Sequence, residues 1–222
     1  MTFSGLFARQ WHIEWTAGGW KCGEIRWQVG CTVDTLLTML DVPPNRIVTD
    51  RLVIRRESVD DAVAIADAID RNLVRLVPWM GWATEEATQP SAQLARIAEA
   101  VEQWDAGKMF DYGIFDLDGG AFLGKIGMHR RIGPHGIELG YWLDAQAEGR
   151  GVISEAVAAL MREAMMLDGI RRVEIHCDAA NLRSQAVPRR LGFVLDRIEH
   201  RPIAAVSETG EHMVWVYQPD RR

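Results

Sequence analysis

Residues 138–156 have the sequence ELGYWLDAQAEGRGVISEA, which combines three local patterns. Its first part belongs to a predicted strand over 137–143, in which apolar and aromatic residues dominate. Its last part begins a predicted helix over 152–167. Between them, Gly149 and Gly151 predict a tight turn, because glycine turns without steric penalty and leaves backbone N–H groups uncovered. The stretch therefore predicts a strand, a glycine turn and a helix in direct succession.

The glycine turn before the helix is a candidate anion site. The first N–H groups of a helix have no partner within it, and the helix dipole adds partial positive charge. Together these donors suit a pyrophosphate, and Arg150 is a further positive charge. The turn is neither of the two common nucleotide-binding loops, because it lacks the G-x-G-x-x-G spacing and a Gly-Lys-Ser/Thr sequence. Taken alone, it fits a structural turn as well as a binding site.

The sequence on both sides of this stretch predicts hairpins first and a strand–helix–strand unit later. Upstream, Asp118-Gly119-Gly120 predicts a hairpin turn between strands over 109–116 and 122–130. This order of elements implies a mixed sheet with helices on its faces. The other predicted strands are 51–55, 171–177, 193–200 and 212–217, and the other predicted helices are 58–73, 90–104 and 182–190.

The first 45 residues differ in composition from the rest. They contain Trp11, Trp15, Trp20 and Trp27 and close with Pro43-Pro44-Asn45, which predicts a break in the chain. We therefore predict an N-terminal extension of unknown role over 1–45 and a main domain over 46–222.

The composition bounds the function. A hydrophobic fraction of 48% and a charged fraction of 25% are typical of a globular protein. The net charge of -6 argues against nucleic acid as a direct partner and favours a cationic substrate such as an amine. No apolar run approaches the roughly 20 residues that span a membrane, so no membrane partner is expected.

The cysteines predict a reducing compartment and no metal. Cys22, Cys31 and Cys177 are too few and odd in number for a disulfide framework, which favours a cytoplasmic location. Cys22 and Cys31 with His12 give three potential zinc ligands, where a structural site needs four.

Two separate motifs resemble those of the GNAT acetyltransferases. The stretch over 138–156 is similar to their acetyl-CoA motif. Residues 181–193, NLRSQAVPRRLGF, are similar to the second signature of the RimJ/RimL-type subfamily, whose members acetylate protein N-termini, notably of ribosomal proteins. The order of elements over 46–217 also matches. The resemblance implies an α/β fold, with a mixed, twisted sheet of about seven strands and about four helices.

The resemblance also implies how the donor, acetyl-CoA, is bound. In this family the fourth and fifth strands diverge, and the pantetheine arm lies in the gap, paired with backbone groups much as an added strand would be. The pyrophosphate lies on the glycine turn, and an asparagine binds the pantetheine. The residues of this chain at those positions are Tyr141, Trp142, Leu143, Gln146, Gly149, Arg150, Gly151, Val152 and Asn181.

Ser184 and Glu138 are the catalytic candidates. Ser184 occupies the position of a serine in the RimJ/RimL-like motif and is expected near the leaving sulfur; the alternative is a helix serine bonded to the preceding turn. Many GNAT proteins have a tyrosine acid where this chain has Pro188. Glu138 is a candidate base, with a pKa raised by partial burial. The alternative for Glu138 is a structural ion pair with Arg130 or Arg131.

The acceptor is expected beside these residues. His129, at the end of a strand, titrates in a useful range but also fits a structural role. Trp79 and Trp82 fall where the fold has its acceptor-binding loops, although ordinary aromatic packing explains them equally well. These three residues are the predicted substrate-binding set.

The predicted function is acetyl transfer from acetyl-CoA to a primary amine, by direct attack in a ternary complex. The preferred acceptor is the N-terminal α-amine of a protein, such as a ribosomal protein. A polyamine, antibiotic or amino acid is the alternative acceptor, since loops that vary freely on one fold select it. A non-catalytic acyl-CoA sensor is a third hypothesis, and a homodimer is compatible with each.

Overall fold

The computed structural model describes residues 15–16, 19–20, 41–118 and 120–219, and the chain divides into two compact units, 1–36 and 37–222. In the first unit, strands β1 (Trp15–Thr16) and β2 (Gly19–Trp20) pair in antiparallel fashion. The candidate zinc ligands His12, Cys22 and Cys31 lie outside the described residues.

The second unit is built on an eight-stranded sheet with the order β3-β4-β5-β6-β7-β8-β10-β9. Neighbouring strands are antiparallel except β7 and β8, which are parallel. The strands are β3 (Arg46–Val48), β4 (Leu52–Arg56), β5 (Met109–Asp116), β6 (Phe122–His129), β7 (Gly136–Leu143), β8 (Arg172–Asp178), β9 (Val194–His200) and β10 (Glu211–Tyr217).

Four α-helices lie among the residues that the structure describes. They are α1 (Ala62–Leu76), α2 (Pro90–Asp105), α3 (Val152–Met166) and α4 (Leu182–Arg190). The predicted α/β mixed sheet with four helices is confirmed. The sheet has one strand more than the seven expected, because β3 comprises three residues and is too short to give a sequence pattern.

The two faces of the sheet have different chemistry because successive strand residues point to opposite sides. One face is apolar: Phe110, Tyr112 and Ile114 of β5 pack in a buried cluster with α3 residues such as Leu160. On the other face, Phe115 belongs to a second cluster with residues of α1 and α2. This second face also carries polar side chains at alternate positions, namely Asp111, Lys125, His129, Glu138, Glu174 and His176.

The central ladder between β7 and β8 is short. It contains three pairs, from Gly136 opposite Arg172 to Glu138 opposite Glu174, although β7 continues to Leu143 and β8 to Asp178. The two strands therefore diverge beyond Glu138, as the resemblance implied for the fourth and fifth strands. This opening positions the site described below.

Residues 41–44, which precede β3 and belong to the second unit, contact the sheet of that unit. Asp41 forms an ion pair with Arg130 at 2.7 Å. The carbonyl oxygen of Pro44 accepts a hydrogen bond of 3.0 Å from the hydroxyl of Tyr112. These contacts attach residues 41–44, which the sequence assigned to the extension, to β5 and to the end of β6.

Candidate active site

A cavity of about 450 Å³ lies at the opening between β7 and β8. Its wall combines three regions: the diverging strands, the start of α4 and the loop between α1 and α2. The cavity lining contains eight of the predicted catalytic, cofactor-binding and substrate-binding residues. These are Trp79, Trp82, His129, Glu138, Tyr141, Trp142, Asn181 and Ser184. The structure thus brings the predicted catalytic and acceptor residues together with part of the predicted cofactor set.

The turn that follows β7 is anchored to α1 by a buried carboxylate. Asp144 accepts hydrogen bonds from the backbone N–H of Gln146 at 3.0 Å, from Asn72 at 3.0 Å and from Arg71 at 2.7 Å. Asn72 in turn accepts from the backbone N–H of Ala145 at 2.9 Å. Burial by itself raises the pKa of Asp144, but these donors outweigh it and hold the pKa below its ordinary value. The carboxylate thus sets the direction in which the chain leaves β7.

Gly149 and Gly151 have left-handed backbone conformations, with φ of 71° and 77°. Gly151 is the N-cap of α3, and Val152 is the first residue of that helix. A Cβ at Gly149 would meet no atom within 4 Å, so the backbone of the turn is open on that side. Such glycines are needed for the conformation, because other residues lose about 1–2 kcal/mol there. The structure thus has the predicted glycine turn directly before α3, and no side chain caps the N-terminus of that helix.

Arginines surround this turn. Arg51 donates to Glu155 of α3 at 2.8 Å and to the carbonyl oxygen of Arg150 at 2.9 Å. Arg75 of α1 and Arg183 of α4 both pair with Glu148, immediately before Gly149. Positive charge beside uncovered N–H groups at a helix N-terminus fits a diphosphate. The residues present therefore fit acetyl-CoA, with the opened strand gap leading away from this turn.

Asn181 and Ser184 form the start of α4. The side chain of Asn181 accepts a hydrogen bond of 3.0 Å from the backbone N–H of Ser184 and so caps the helix. The hydroxyl of Tyr141 donates to the carbonyl oxygen of Ser184 at 3.2 Å and lies 3.4 Å from its hydroxyl oxygen. Burial raises the pKa of Tyr141 and, on the same wall, that of Cys177. Both groups therefore stay protonated at neutral pH, which argues against Cys177 as a nucleophile.

Glu138 is engaged by an arginine. Arg131 donates two hydrogen bonds to its carboxylate, at 2.7 and 2.6 Å. Burial raises the pKa of Glu138, but the hydrogen bonds and charge of Arg131 outweigh that effect and lower the pKa below its ordinary value. The expectation of a raised pKa is wrong, because the sequence does not show that Arg131 faces this carboxylate with both of its donors.

Asp111 and Lys125 are polar residues of the site that the sequence interpretation missed. Asp111 lies 3.4 Å from the imidazole Nε2 of His129, and Lys125 forms a buried ion pair with Glu57 at 2.8 Å. Strand alternation places Asp111, Lys125 and His129 on the same face, so the signal was present. Their proximity depends on the pairing of β5 with β6, which a single sequence does not give.

The aromatic residues of the α1–α2 loop lie against the strands. The ring centroids of Trp82 and Trp142 are 6.1 Å apart, and Arg96 of α2 lies 5.4 Å from the Trp82 ring. The loop between β9 and β10 covers the same region, since the N–H of Ser207 donates to the carbonyl oxygen of Pro78 at 3.0 Å. These two loops form the outer wall of the cavity.

The described residues contain neither a metal-binding cluster nor a membrane-spanning helix. Across 41–118 and 120–219, no group of three or more His, Cys, Asp or Glu side chains is arranged to hold a metal ion. Within the same part of the chain, no helix is long and apolar enough to cross a membrane.

Comparisons with known proteins identify the family. Residues 51–194 match the model of the acetyltransferase (GNAT) domain. The chain is 32% identical over 155 residues to the [ribosomal protein uS5]-alanine N-acetyltransferase of Escherichia coli (strain K12). The aligned region covers 69% of this chain and 80% of that relative.

Solved structures share the fold. RimL, a ribosomal L7/L12 α-N-protein acetyltransferase solved with coenzyme A, superposes with a TM-score of 0.71 at 22% identity, covering 79% of this chain and 98% of RimL. The microcin C7 self-immunity acetyltransferase MccE, solved with acetyl-CoA and AMP, superposes with a TM-score of 0.72 at 19% identity, covering 80% of this chain and 98% of MccE. The chain therefore belongs to the GNAT acetyltransferase family, in its RimJ/RimL-like branch, and is an N-acetyltransferase that uses acetyl-CoA.

Proposed function

We propose that the protein acetylates the N-terminal α-amine of a protein, and that a ribosomal protein is the acceptor. The observation that carries the proposal is the continuity of the cavity, which joins the opened strand gap to a side with the carboxylates of Asp111, Glu138 and Glu208. Glu138 is paired with Arg131 and Asp111 contacts His129, so Glu208 is the carboxylate of this side that best suits a cationic amine. The relative from Escherichia coli, which is named for an alanine of a ribosomal protein, supports the choice of acceptor.

The donor contacts follow from the opening and the turn. When bound, acetyl-CoA supplies the activated acetyl group as a thioester. Backbone groups of β7 beyond the last pair with β8 bind the pantetheine arm, and the amide of Asn181 donates to it. The glycine turn and the first N–H of α3 bind the diphosphate. The proposed donor-binding residues are Tyr141, Trp142, Leu143, Gln146, Gly149, Arg150, Gly151, Val152 and Asn181.

Ser184 is the proposed donor of a proton or hydrogen bond at the leaving sulfur. Its hydroxyl lies at the cavity wall, 3.4 Å from the hydroxyl oxygen of Tyr141. Because the Tyr141 proton is directed to the carbonyl oxygen of Ser184, the hydroxyl proton of Ser184 itself is the one available to the sulfur. Orienting the amine and the thioester in line contributes the larger share, about 7–11 kcal/mol in well-oriented systems.

The acceptor side is formed by His129, Trp79 and Trp82, with Glu138 as a catalytic candidate. Because Arg131 engages both oxygens of Glu138, a Glu138→Gln variant distinguishes a charge role from a structural one. Loss of turnover with unchanged acceptor KM indicates a role in the reaction. A lower thermal midpoint together with both kinetic losses indicates a structural pair.

A small amine is the second candidate acceptor. The contact between Ser207 and Pro78 closes one side of the cavity, which favours a compact acceptor over a peptide. Both candidates are tested in one experiment with acetyl-CoA, purified ribosomal proteins and a panel of polyamines, amino acids and aminoglycosides. Intact mass and a thiol assay for free CoA are the readouts. CoA release with small amines alone contradicts the protein acceptor, and tight donor binding with no transfer contradicts both acceptors.

A further inference from the structure

His129 and Asp111 form a pair on the cavity face of neighbouring strands. Asp111 of β5 is opposite Gly127 of β6, and His129 is two residues further along β6 on the same face. The imidazole Nε2 lies 3.4 Å from the Asp111 Oδ1 atom. Because a carboxylate accepts, this contact assigns the ring proton to Nε2 and leaves the lone pair on Nδ1.

The second ring nitrogen lies beside Gly140 of β7, a residue that lines the cavity as His129 does. His129 Nδ1 is buried and has no hydrogen-bond partner among the described residues. A Cβ built on Gly140 would lie 4.0 Å from this atom, so the nitrogen packs against the side of β7 where Gly140 has no side chain. Gly140 is two residues beyond Glu138, where the β7–β8 ladder ends. A buried nitrogen with a free lone pair at this point is a proton acceptor without a partner.

A pair of glycines makes room for this arrangement. Gly127 and Gly140 are directly opposite each other in the β6–β7 ladder. A Cβ at Gly127 would overlap Asp111 Oδ1 and approach His129 Nε2 to 2.9 Å. The absence of a side chain at Gly127 is therefore required for the contact between Asp111 and His129.

The surroundings keep Asp111 ionised. Burial raises the pKa of Asp111, but the hydrogen bond with His129 and the charges of Lys125 and Arg131 outweigh it and lower the pKa. An ionised carboxylate at Nε2 stabilises the imidazolium that forms when Nδ1 takes up a proton. The other charged or titratable groups around the pair are Glu57 after β4, Lys125 of β6, Arg96 of α2, Arg131 after β6, Glu138 of β7, and Glu174 and His176 of β8.

We propose that His129 is the general base of acetyl transfer and that Asp111 is its positioning residue. The inference rests on the proposed function, because it requires an amine acceptor in this cavity. The nitrogen lone pair of the amine forms a bond to the thioester carbonyl carbon, and a proton leaves that nitrogen for His129 Nδ1. The C–S bond then breaks, and the thiolate takes up a proton either from water or from Ser184, whose hydroxyl regains a proton from solvent. The products are the amide, free CoA thiol and an imidazolium that releases its proton to solvent.

His129 fits this role better than Glu138, its direct neighbour across the β6–β7 ladder. Both oxygens of Glu138 accept from Arg131, whereas His129 Nδ1 has no partner in the described part of the chain. In this mechanism Glu138 neutralises the charge of Arg131 and does not receive the proton from the amine.

The test compares His129→Ala with His200→Ala, an exposed histidine near the end of the edge strand β9. Single-turnover acetyl transfer is measured with saturating acetyl-CoA and whichever acceptor the wild-type protein uses. We expect a fall of about 10²- to 10⁴-fold for His129→Ala, restored at least in part by added imidazole. Calorimetric affinity for acetyl-CoA stays within about twofold, and the acidic limb of the pH–rate profile disappears. His200→Ala keeps the wild-type rate and profile.

Two further variants test the positioning role. Asp111→Asn lowers kcat, moves the acidic limb of the profile and is not rescued by imidazole, because the ring is still present. Gly127→Ala gives the same pattern by displacing the carboxylate. Asp111→Asn activity with an unchanged pH profile overturns the role of Asp111.

The outcomes separate the two proposals. Transfer to small amines alone contradicts the protein acceptor, yet His129→Ala still tests the base with those amines. A His129→Ala variant that transfers within twofold of wild type, or that loses activity without any imidazole rescue, overturns the base. No transfer by the wild-type protein to any acceptor overturns both.

Discussion

Gly149 and Gly107 have nearly the same backbone conformation, with φ of 71° and 67°, and neither would place a Cβ within 4 Å of another group. Gly149 lies in the turn before α3, whereas Gly107 follows α2, outside the cavity lining. Replacing either residue by glutamate costs a similar left-handed strain of about 1–2 kcal/mol. The pair therefore separates the effect of strain from the effect of a negative charge at the turn.

We predict that Gly149→Glu abolishes acetyl-CoA binding, because the new carboxylate repels the diphosphate and covers the N–H groups. Gly107→Glu lowers the thermal midpoint to a similar extent and binds acetyl-CoA as the wild-type protein does. Isothermal titration calorimetry is the measurement. Unchanged affinity in Gly149→Glu would contradict the diphosphate site.

Removal of the Ser184 hydroxyl tests the proposed role of this residue at the leaving sulfur. Ser184→Ala is expected to lower turnover by about 10²-fold or more, as for loss of an acid–base group, while acetyl-CoA affinity changes little. Ser91→Ala, at an exposed position in the first turn of α2, is the matched control. Steady-state kinetics and calorimetry measure the two quantities. Equal activity of the two variants would remove Ser184 from the reaction.

Much of the element structure was predictable. Alternation and the Asp118-Gly119-Gly120 turn give the β5–β6 hairpin, and the glycine turn locates the start of α3 at Val152. The partners across strands were not predictable, because one sequence gives the face of a residue but not its register. The Asp111–His129 contact and the choice of Arg131 as the partner of Glu138 therefore emerge from the fold.

The connection between β7 and α1 predicts a pH-dependent stability. The pKa of Asp144 is lowered in the folded state, so its contribution is complete above the unfolded pKa of about 3.9. It is lost as the pH falls through the lower folded value. We predict that Asp144→Asn lowers the free energy of unfolding by about 1–3 kcal/mol at pH 7, and that the difference shrinks below about pH 4.

Urea unfolding at pH 7 and at pH 3 measures this difference. Asp105→Asn is the matched control, because Asp105 pairs with Arg56 on the surface with 65% of its side chain exposed. Such exposed pairs contribute about 0–1 kcal/mol. A difference for Asp144→Asn that stays constant between the two pH values would contradict the lowered pKa.

The two compact units of the chain predict different results for two deletions. Removal of 1–36 leaves the second unit whole, so its thermal midpoint and acetyl-CoA affinity are expected to stay unchanged. Removal of 1–44 also takes away Asp41, which pairs with Arg130, and Pro44, which accepts from the buried Tyr112. The loss of these two contacts is expected to lower the free energy of unfolding by about 1–3 kcal/mol. The thermal midpoint therefore falls by several degrees.

Differential scanning calorimetry of both deletion variants is the measurement. Equal midpoints would show that residues 37–44 do not stabilise the domain, and aggregation of the shorter deletion would contradict an independent second unit. The homodimer and the lack of a nucleic-acid partner stay predictions from the sequence.

The whole molecule combines an opened parallel strand pair, a glycine turn at the start of a helix, and a polar sheet face under two loops. We expect this arrangement to transfer an acetyl group from acetyl-CoA to a protein N-terminal α-amine. Because the expected acceptor group is the α-amine, a decisive test blocks the N-terminus of the acceptor and leaves the rest of the peptide unchanged.

The most direct measurement is therefore intact mass spectrometry of acetyl-CoA reactions with ribosomal-protein peptides that begin with alanine or serine. A matched set carries a blocked N-terminus and the same internal lysines. We expect one added acetyl group on the free peptides, with one equivalent of CoA released, and none on the blocked peptides. Acetylation of both sets, or of small amines only, would contradict this expectation.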